Sequence, residues 1–480
     1  MSTSLNPQKR FAWLTDKSSN KQQLAVALDI GTTKVCAIAG LIDEYGRLEV
    51  VSYGTVKSEG VARGVVSNID KTVKAIREAV DMAERTANCK FKVVHVGIAG
   101  QHIKSHHHMG YLTRADHNAE ISNDDVERLI KDMYRIALPP GDKILHVIPQ
   151  EFTVDDEKDV VDPIGMSGHK LEANFHIITG QITASRNIMR CIEKAGLQIA
   201  DITLEPIASA TAVLNDQEKE AGVVLVDIGG GTTDITIFKD NIIRHTAVIP
   251  FGGNIITEDI KEGCTVLADQ AEKLKTKFGV AWADMIKDNR RITIPVLKGR
   301  ESKSISEKNL AKIIQARVEE IFDYVIWEIK RSGYENKLIA GIVLTGGGAL
   351  LKHIEALVEV HTGMPARIGE PVEHLAHGYN KDLASPIYAT AIGLLKYTID
   401  NLPERSYVEY EGDSQIENTS QANTTLTTGT FTPELITTGG MDEELAGSEK
   451  PSGESKFMGI IKKIGVFAKD FFEPTPDHEL

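Results

Sequence analysis

The chain has 480 residues, of which 41% are hydrophobic and 25% are charged, a composition typical of a folded protein with several packing units. The formal net charge of −14 excludes a general nucleic-acid binder, because such a protein needs basic surface along the phosphate backbone. The four cysteines are far apart, which excludes zinc-finger spacing, and we expect reduced, buried thiols in a cytoplasmic protein.

The first 23 residues are polar, and we predict a disordered N-terminal tail without a secretory signal. No stretch approaches the roughly 18 apolar residues of a spanning helix, so we expect any membrane contact to be peripheral. Between residues 24 and 402 strand-like and helix-like segments alternate, which indicates an α/β body. Residues 24–30 and 35–41 are predicted strands around a tight turn. Residues 68–87 are a predicted helix that Asn68 caps.

A weak internal repeat is the strongest signal in this body. The segments LAVALDIGTTKVCAI and VVLVDIGGGTTDITIF each run from an apolar strand through an aspartate and a Gly/Thr turn into a second apolar strand. Their aspartates, Asp29 and Asp227, are 227 − 29 = 198 residues apart. Self-similarity at a fixed spacing indicates a duplicated domain.

The composition of both turns suits phosphate. Glycines bring backbone N–H groups close to oxyanions, and threonine and lysine side chains add donors and positive charge. These residues are Gly31, Thr32, Thr33 and Lys34 in the first turn and Gly229, Gly230, Gly231, Thr232 and Thr233 in the second. Carboxylates repel phosphate, so we interpret Asp29 and Asp227 as facing a hydrated Mg²⁺ between them. Two ordinary Gly-rich hairpins are the alternative interpretation. The turns are not a Walker loop, because the pattern GxxxxGK[ST] is absent.

A third glycine turn, Gly346, Gly347 and Gly348, follows a predicted strand over 341–345. Glycines there would let a flat base lie against the backbone. Upstream, Glu272 and Lys275 are three residues apart on one predicted helical face and could hold ribose hydroxyls. Taken alone, that pair is more typical of a solvated helix surface.

These segments, in this order, resemble the five motifs of the actin-like ATPase superfamily. LDIGTTKV is similar to its phosphate-1 motif, LEPIASA (204–210) to its first connecting helix, VDIGGGTTDI to phosphate-2, VLTGGGALL to the adenosine motif and SPIYATAIGLL (385–395) to the second connecting helix. Within the superfamily the chain resembles the FtsA family of bacterial cell-division proteins. VGIAGQHIKSHHHMG (96–110) is similar to the start of that family's inserted subdomain, and IPFGGNIITEDIKEG (249–263) to its second domain.

The resemblance implies an α/β, actin-like fold, with two ribonuclease-H-like domains around a nucleotide cleft and an FtsA-type inserted subdomain. The implied divisions are a first actin-like domain, 1A (24–94, 178–214 and 385–402), the inserted subdomain 1C (95–177), a second actin-like domain, 2A (215–255 and 328–384), and a subdomain 2B (256–327).

ATP and Mg²⁺ are the cofactors that the resemblance implies. The two Gly/Thr turns would face the phosphates from opposite sides, Glu272 and Lys275 would reach the ribose, and the third glycine turn would reach the adenine. Glu205 stands where relatives place the residue that orients the attacking water, although it also suits a helix-starting acid before Pro206. ATP binding with slow hydrolysis is the expected activity.

The end of the chain changes composition twice. Residues 403–455 are rich in Thr, Ser, Gly and Glu and are predicted to be a disordered linker. Residues 456–472 are a predicted amphipathic helix with an apolar face about 140° wide. The residues predicted to contact lipid are Phe457, Ile460, Ile461, Ile464, Phe467 and Phe471, with Lys463 at the border. This pattern is typical of a helix lying in the lipid interface, and docking on the protein's own body is the alternative.

By resemblance, the function is that of a membrane-tethered, ATP-binding actin homologue in bacterial cell division. It would anchor the ring of the tubulin-like protein FtsZ to the cytoplasmic face of the inner membrane at the septum. The implied partners are FtsZ, further copies of the chain in filaments or minifilaments, an anionic membrane surface and later division proteins, with no nucleic acid. Another actin-like adaptor, such as a pilus-assembly protein, is the alternative.

Overall fold

The computed structural model describes residues 21–114, 119–294, 303–401 and 408–411. The strands are, in chain order, β1 (Lys21–Ile30), β2 (Lys34–Ile42), β3 (Leu48–Lys57), β4 (Val61–Ala62), β5 (Val65–Val66), β6 (Val93–Ile98), β7 (Lys104–Thr113), β8 (Asp142–Val154), β9 (Glu157–Val160), β10 (Lys170–Gln181), β11 (Gln198–Leu204), β12 (Val223–Ile228), β13 (Thr233–Lys239), β14 (Ile242–Ile249), β15 (Arg291–Ile294), β16 (Lys303–Ser306), β17 (Ile342–Thr345), β18 (Ala366–Ile368) and β19 (Val408–Glu411).

The α-helices are, in chain order, α1 (Ile69–Ala87), α2 (Asn123–Met133), α3 (Ile182–Ala195), α4 (Glu205–Val213), α5 (Asp216–Ala221), α6 (Gly253–Cys264), α7 (Ala268–Phe278), α8 (Glu307–Ser332), α9 (Ile354–Thr362) and α10 (Ala389–Asn401). Among the helices within the described ranges, none is both long enough and apolar enough to cross a bilayer.

Two sheets of the fold have the same layout. Their strand orders are β3-β2-β1-β6-β11 and β14-β13-β12-β17-β18. In each sheet three strands form an antiparallel meander, and two further strands add in parallel on the other side of the first. This shared order confirms the duplication that the repeat predicts. It also gives Asp29 and Asp227 equivalent positions near the ends of the first strand of each meander.

Helix α1 illustrates how local sequence sets an element. Asn68 is its N-cap, with a side chain that accepts a hydrogen bond from the backbone N–H of Lys71 at 3.0 Å. Asn88 ends the helix in the left-handed conformation with φ of 52°, which asparagine tolerates. The helix packs its apolar face on β2 and β3. The predicted helix over 68–87 is therefore confirmed.

Helices α4 and α10 lie between the two sheets and join them. Their apolar residues share one core with the inner faces of β1, β2, β12 and β17. The helices cross so closely that a β-carbon on Gly393 would lie 1.8 Å from the carbonyl oxygen of Ala208. The predicted helix over 385–395 begins instead as a short 3₁₀ turn, Pro386–Tyr388, and continues as α10.

The chain segment between β6 and α3 forms a third sheet, which packs on α2. Its strand order is β7-β10-β8-β9. It docks on β14 of the second large sheet. Gln150 donates from Nε2 to the carbonyl oxygen of Ile243 at 2.9 Å. Arg244, which is 3% exposed, pairs with Glu151 at 2.5 Å. The inserted subdomain that the resemblance implies is therefore present, and these polar contacts join it to the second large sheet.

The structure departs from the sequence prediction where the body meets its tails. Strand β1 begins at Lys21, inside the predicted N-terminal tail, and β19 forms inside the predicted linker. The backbone of β19 pairs antiparallel with residues 21–24 of β1, which extend past the β2 pairing and so have backbone groups to satisfy. Residues 1–20, the linker beyond 411 and the predicted helix at 456–472 lie outside the described residues.

Candidate functional site

A cavity of about 530 Å³ lies between the two large sheets, and both predicted phosphate turns line it. Each turn closes with the same backbone hydrogen bond. Gly31 N–H donates to the carbonyl oxygen of Lys34 at 2.9 Å, and Gly229 N–H donates to that of Thr232 at 3.0 Å. The turns meet across the cavity, since a β-carbon on Gly230 would lie 2.2 Å from Cγ2 of Thr33. The duplicated motif therefore forms two walls of one site.

Five carboxylates line this cavity, and one of them is Glu272 of α7. The other four lie at the ends of β1 and β12, the start of α4 and the start of β13, and they are Asp29, Asp227, Glu205 and Asp234. Burial raises the pKa of Glu205 well above its usual range, and the nearby charges of Asp29, Asp234 and Asp227 raise it further. Packing this much negative charge into one cleft is costly without a cation.

Asp234 is a cavity residue that our sequence reasoning missed. It lies opposite Asp227 in the β12–β13 register and is 8% exposed. Its Oδ2 accepts a hydrogen bond from Thr232 Oγ1 at 3.2 Å, whereas its Oδ1 is buried without a partner within the described part of the chain. Burial, helped by the charge of Asp227, raises the pKa of Asp234 to about 8. The available signal was its place in VDIGGGTTDI.

Two hydroxyl groups hold the Asp227 carboxylate. Ser209 of α4 donates to its Oδ2 at 2.8 Å, and Thr390 of α10 donates to the same oxygen at 3.3 Å. The two hydroxyls lie 3.0 Å apart. Burial raises the pKa of Asp227, and the Ser209 hydrogen bond opposes that rise. Both connecting helices thus orient an acid of the second sheet, a role that sequence reasoning did not assign to them.

Lys34 forms an ion pair with Asp29 at the other wall. Burial lowers the pKa of Lys34, but the charge and hydrogen bond of the Asp29 carboxylate, together with the charges of Cys36 and Glu205, outweigh it, and the net pKa is raised. The lysine therefore stays charged. Its Nζ also lies 5.9 Å from the ring centroid of Tyr388, a further cavity-lining side chain.

The third glycine turn and the Glu272/Lys275 pair close the far end of the cavity. Gly346 has φ of 80°, and a β-carbon there would lie 2.3 Å from Oδ1 of Asp227, so only glycine fits. Lys275 donates to the carbonyl oxygen of Gly253 and to Thr257 Oγ1, each at 2.8 Å, and pairs with Glu272 at 2.8 Å. Glu272 and Lys275 therefore line the cavity, whereas the alternative prediction placed them on a solvated helix surface.

Comparison with known proteins decides the family. The protein-family model described as cell division protein FtsA matches residues 224–393. The family model described as the SHS2 domain inserted in FtsA matches residues 100–179. The cell division protein FtsA of Pseudomonas aeruginosa is 40% identical over 392 residues, covering 82% of this chain and 93% of the relative. This chain belongs to the FtsA family. The FtsA of Neisseria meningitidis is 42% identical over 376 residues, covering 78% and 90%. Membership gives the chain a role in bacterial cell division.

A solved structure agrees on the fold. The PilM–PilN type IV pilus biogenesis complex superposes with a TM-score of 0.58 at 14% identity, covering 78% of this chain and 98% of that chain. At that identity the match shows the actin-like fold alone. The higher identity to FtsA relatives therefore separates this chain from the pilus-assembly alternative.

The cavity of this FtsA-family protein brings together all but one of the residues predicted to bind nucleotide. Thr233 is the exception, because its side chain is fully buried and its hydroxyl donates to the carbonyl oxygen of Phe251 at 2.8 Å. Thr233 is the first residue of β13, where successive side chains alternate in direction, and Thr232 is the neighbour that faces the cavity. The residues predicted to contact lipid all lie outside the described residues.

Proposed function

We propose that this FtsA-family protein binds Mg-ATP between its two hairpin turns, and that its C-terminal tail anchors the FtsZ ring to the membrane. The observation that carries the first half is the convergence of both turns, with Asp29 and Asp227, on one cavity. The backbone N–H groups of the glycines and the hydroxyls of Thr32, Thr33 and Thr232 are suitable donors for phosphate oxygens.

The carboxylates suit Mg²⁺ rather than a metal held by protein alone. Within the described ranges, no group of three or more His, Cys, Asp or Glu side chains forms a self-sufficient metal site. Mg²⁺ typically takes one or two carboxylates and completes its shell with phosphate oxygens and water. Asp29 and Asp227 would hold it, and the cation would neutralise phosphate charge. Glu205 would orient a water molecule for slow hydrolysis once the cation lowers its proton affinity.

The membrane half of the proposal rests on the sequence of the tail. The face formed by Phe457, Ile460, Ile461, Ile464, Phe467 and Phe471, with Lys463 beside it, suits an anionic lipid interface. The linker that composition predicts to be disordered would have a mean reach of about 35–40 Å. Because one short helix binds lipid modestly, self-association of the chain would strengthen anchoring by avidity. The protein would then act at the cytoplasmic face of the inner membrane at the septum, where it recruits FtsZ and later division proteins.

Equilibrium binding of ATP, with Mg²⁺ and with EDTA, tests the nucleotide half. Wild type should bind ATP with Mg²⁺, and Asp227→Asn should lose most of the Mg²⁺-dependent affinity. Asp159→Asn is the matched control, since it makes the same change at an exposed position on β9. If all three proteins bind ATP equally well, with Mg²⁺ or with EDTA, the result would contradict a role for Asp227 in Mg²⁺-dependent ATP binding.

Sedimentation with anionic vesicles tests the membrane half. The full chain should pellet with vesicles, whereas a chain that ends at Ser455 and the variant Phe467→Glu should stay in solution. Phe431→Glu makes the same substitution in the linker and should pellet like wild type. If the full chain stays in solution, the tail is a protein-docking helix and the anchoring proposal is lost.

A further inference from the structure

Tyr388, an aromatic residue that lines the cavity, lies close to Lys34 of the first phosphate turn. Tyr388 ends the 3₁₀ turn Pro386–Tyr388, immediately before α10. Its ring centroid lies 5.9 Å from Lys34 Nζ, within the roughly 6 Å over which a ring face attracts a cation. The ring of Tyr388 is therefore a favourable neighbour of Lys34, in addition to its ion-pair partner Asp29 and the nearby carboxyl group of Glu205.

The Tyr388 ring is itself fixed from outside the cavity. Tyr53 of β3 meets it edge-on, with ring centroids 5.8 Å apart and an interplanar angle of 71°, a favourable aromatic arrangement. The hydroxyl of Tyr53 accepts a hydrogen bond from Asn380 Nδ2 at 3.0 Å. Two residues further along the chain, Thr390 contacts Asp227, so the segment from Tyr388 into α10 reaches both walls of the cavity.

Asp29 has two competing tasks under the proposed function. In the structure it neutralises Lys34, and with Mg-ATP bound it would face the cation instead. Lys34 then loses its carboxylate partner, and the Tyr388 ring remains beside it. We infer that Tyr388 is a positioning residue for Lys34, which holds the ammonium toward the phosphates and favours the nucleotide that carries more phosphate charge. This inference rests on the proposed nucleotide binding and deepens it.

The test compares the Kd values for ATP and ADP, both with Mg²⁺, in wild type, Tyr388→Leu and Tyr388→Phe. Tyr388→Leu removes the ring and should reduce the preference for ATP over ADP about five-fold, the size expected of a partly desolvated cation–π contact. Tyr388→Phe keeps the ring and should retain the wild-type preference. A purely structural role would instead weaken ATP and ADP equally.

A double-mutant cycle shows whether Tyr388 acts through Lys34. Lys34→Met alone and Lys34→Met with Tyr388→Leu should have the same ATP-to-ADP ratio, because the ring has no ammonium left to place. Tyr53→Leu leaves Tyr388 in the chain but removes its edge-on neighbour. Tyr53→Leu should reduce the preference for ATP over ADP, but by less than Tyr388→Leu does. If Tyr388→Leu does not fold, Tyr53→Leu still tests the inference.

The outcomes separate this inference from the function on which it rests. A wild-type protein that binds neither nucleotide overturns both. A wild type that binds ATP and ADP equally, a Leu variant that keeps the wild-type ratio, or an additive cycle overturns the role of Tyr388 and leaves nucleotide binding intact.

Discussion

A β-carbon on Gly97 would lie 2.8 Å from Cγ of Glu205 and 3.0 Å from its Oε1. Gly97 is on β6, next to β11, which leads directly into the helix that Glu205 begins. The missing side chain therefore leaves room for the carboxyl group at the cavity floor. A neighbouring strand, rather than the motif around Glu205, sets where this acid can lie.

Gly97→Ala should displace Glu205 and lower any ATP hydrolysis toward the level of Glu205→Gln. ATP affinity should change less than about three-fold, because the phosphate turns are untouched. Phosphate release and equilibrium binding are measured together. Thermal unfolding is the control, since the new methyl group also meets Leu394 Cδ1 at 2.9 Å. Hydrolysis at the wild-type rate in Gly97→Ala would argue against a role for the position of Glu205.

The nucleotide-free protein should lose stability as pH rises through the neutral range. The pKa of Asp234 is raised from its ordinary 3.8 to about 8, so between those values the folded state holds a proton that the unfolded state has lost. The free energy of unfolding then falls by up to about 1.4 kcal/mol per pH unit for such a group. Asp234→Asn should flatten this slope, measured by urea denaturation at pH 5.5, 6.5 and 7.5. An unchanged slope would contradict a buried, protonated Asp234.

Ser209→Ala should weaken Mg²⁺-dependent ATP binding about tenfold, because a hydrogen bond to a charged group is worth about 1.5 kcal/mol or more. The hydroxyl of Ser209 keeps one oxygen of Asp227 in place, and Thr390 holds the same oxygen only at 3.3 Å. Titration calorimetry with Mg-ATP measures the effect. Ser332→Ala, whose hydroxyl donates to Ile329 within α8, is the matched control. An equal loss in both variants would show a general rather than a site effect.

Arg244→Met should loosen the inserted subdomain from the second large sheet. The buried guanidinium joins Glu151 of β8 to Asp240, and a lost charged hydrogen bond costs about 1.5–3 kcal/mol. Hydrogen exchange should rise in β8 and β10. Arg135→Met removes an exposed ion pair with Asp132 and should change the free energy of unfolding by less than about 0.5 kcal/mol. Unaltered exchange in Arg244→Met would mean that other contacts hold the subdomain.

The hairpins were predictable because their signal is local. Strand, aspartate and Gly/Thr turn lie within about fifteen residues, and the repeat of that pattern predicts the shared sheet order. Asp234 was not recognised because period-2 alternation alone does not say which side of β13 faces the cavity, and the same ambiguity misassigned Thr233. The pairing register of β13 with β12 places Asp234 opposite Asp227 and Thr233 opposite Ile228, and it therefore shows on which side of β13 each residue lies.

Other features depend on contacts between distant segments. Ser209 and Thr390 are 181 residues apart and meet only because α4 and α10 cross at Gly393. Tyr53 and Asn380 are 327 residues apart. The pairing of β19 with β1 likewise joins two segments that composition assigned to tails. The residue pattern within a single segment carries no information about such contacts. The residues that hold the cavity-lining side chains in place could therefore be identified only from the folded structure.

Reconstitution on vesicles tests the central claim most directly. FtsZ polymers are mixed with anionic vesicles, Mg-ATP and either the full chain, the chain that ends at Ser455, or Asp227→Asn, and vesicle-bound FtsZ is measured by flotation. The full chain should carry FtsZ to the vesicles, the truncated chain should not, and Asp227→Asn should recruit less. FtsZ floating equally well with the truncated chain would contradict tail-mediated anchoring, and full recruitment by Asp227→Asn would contradict a role for nucleotide in it.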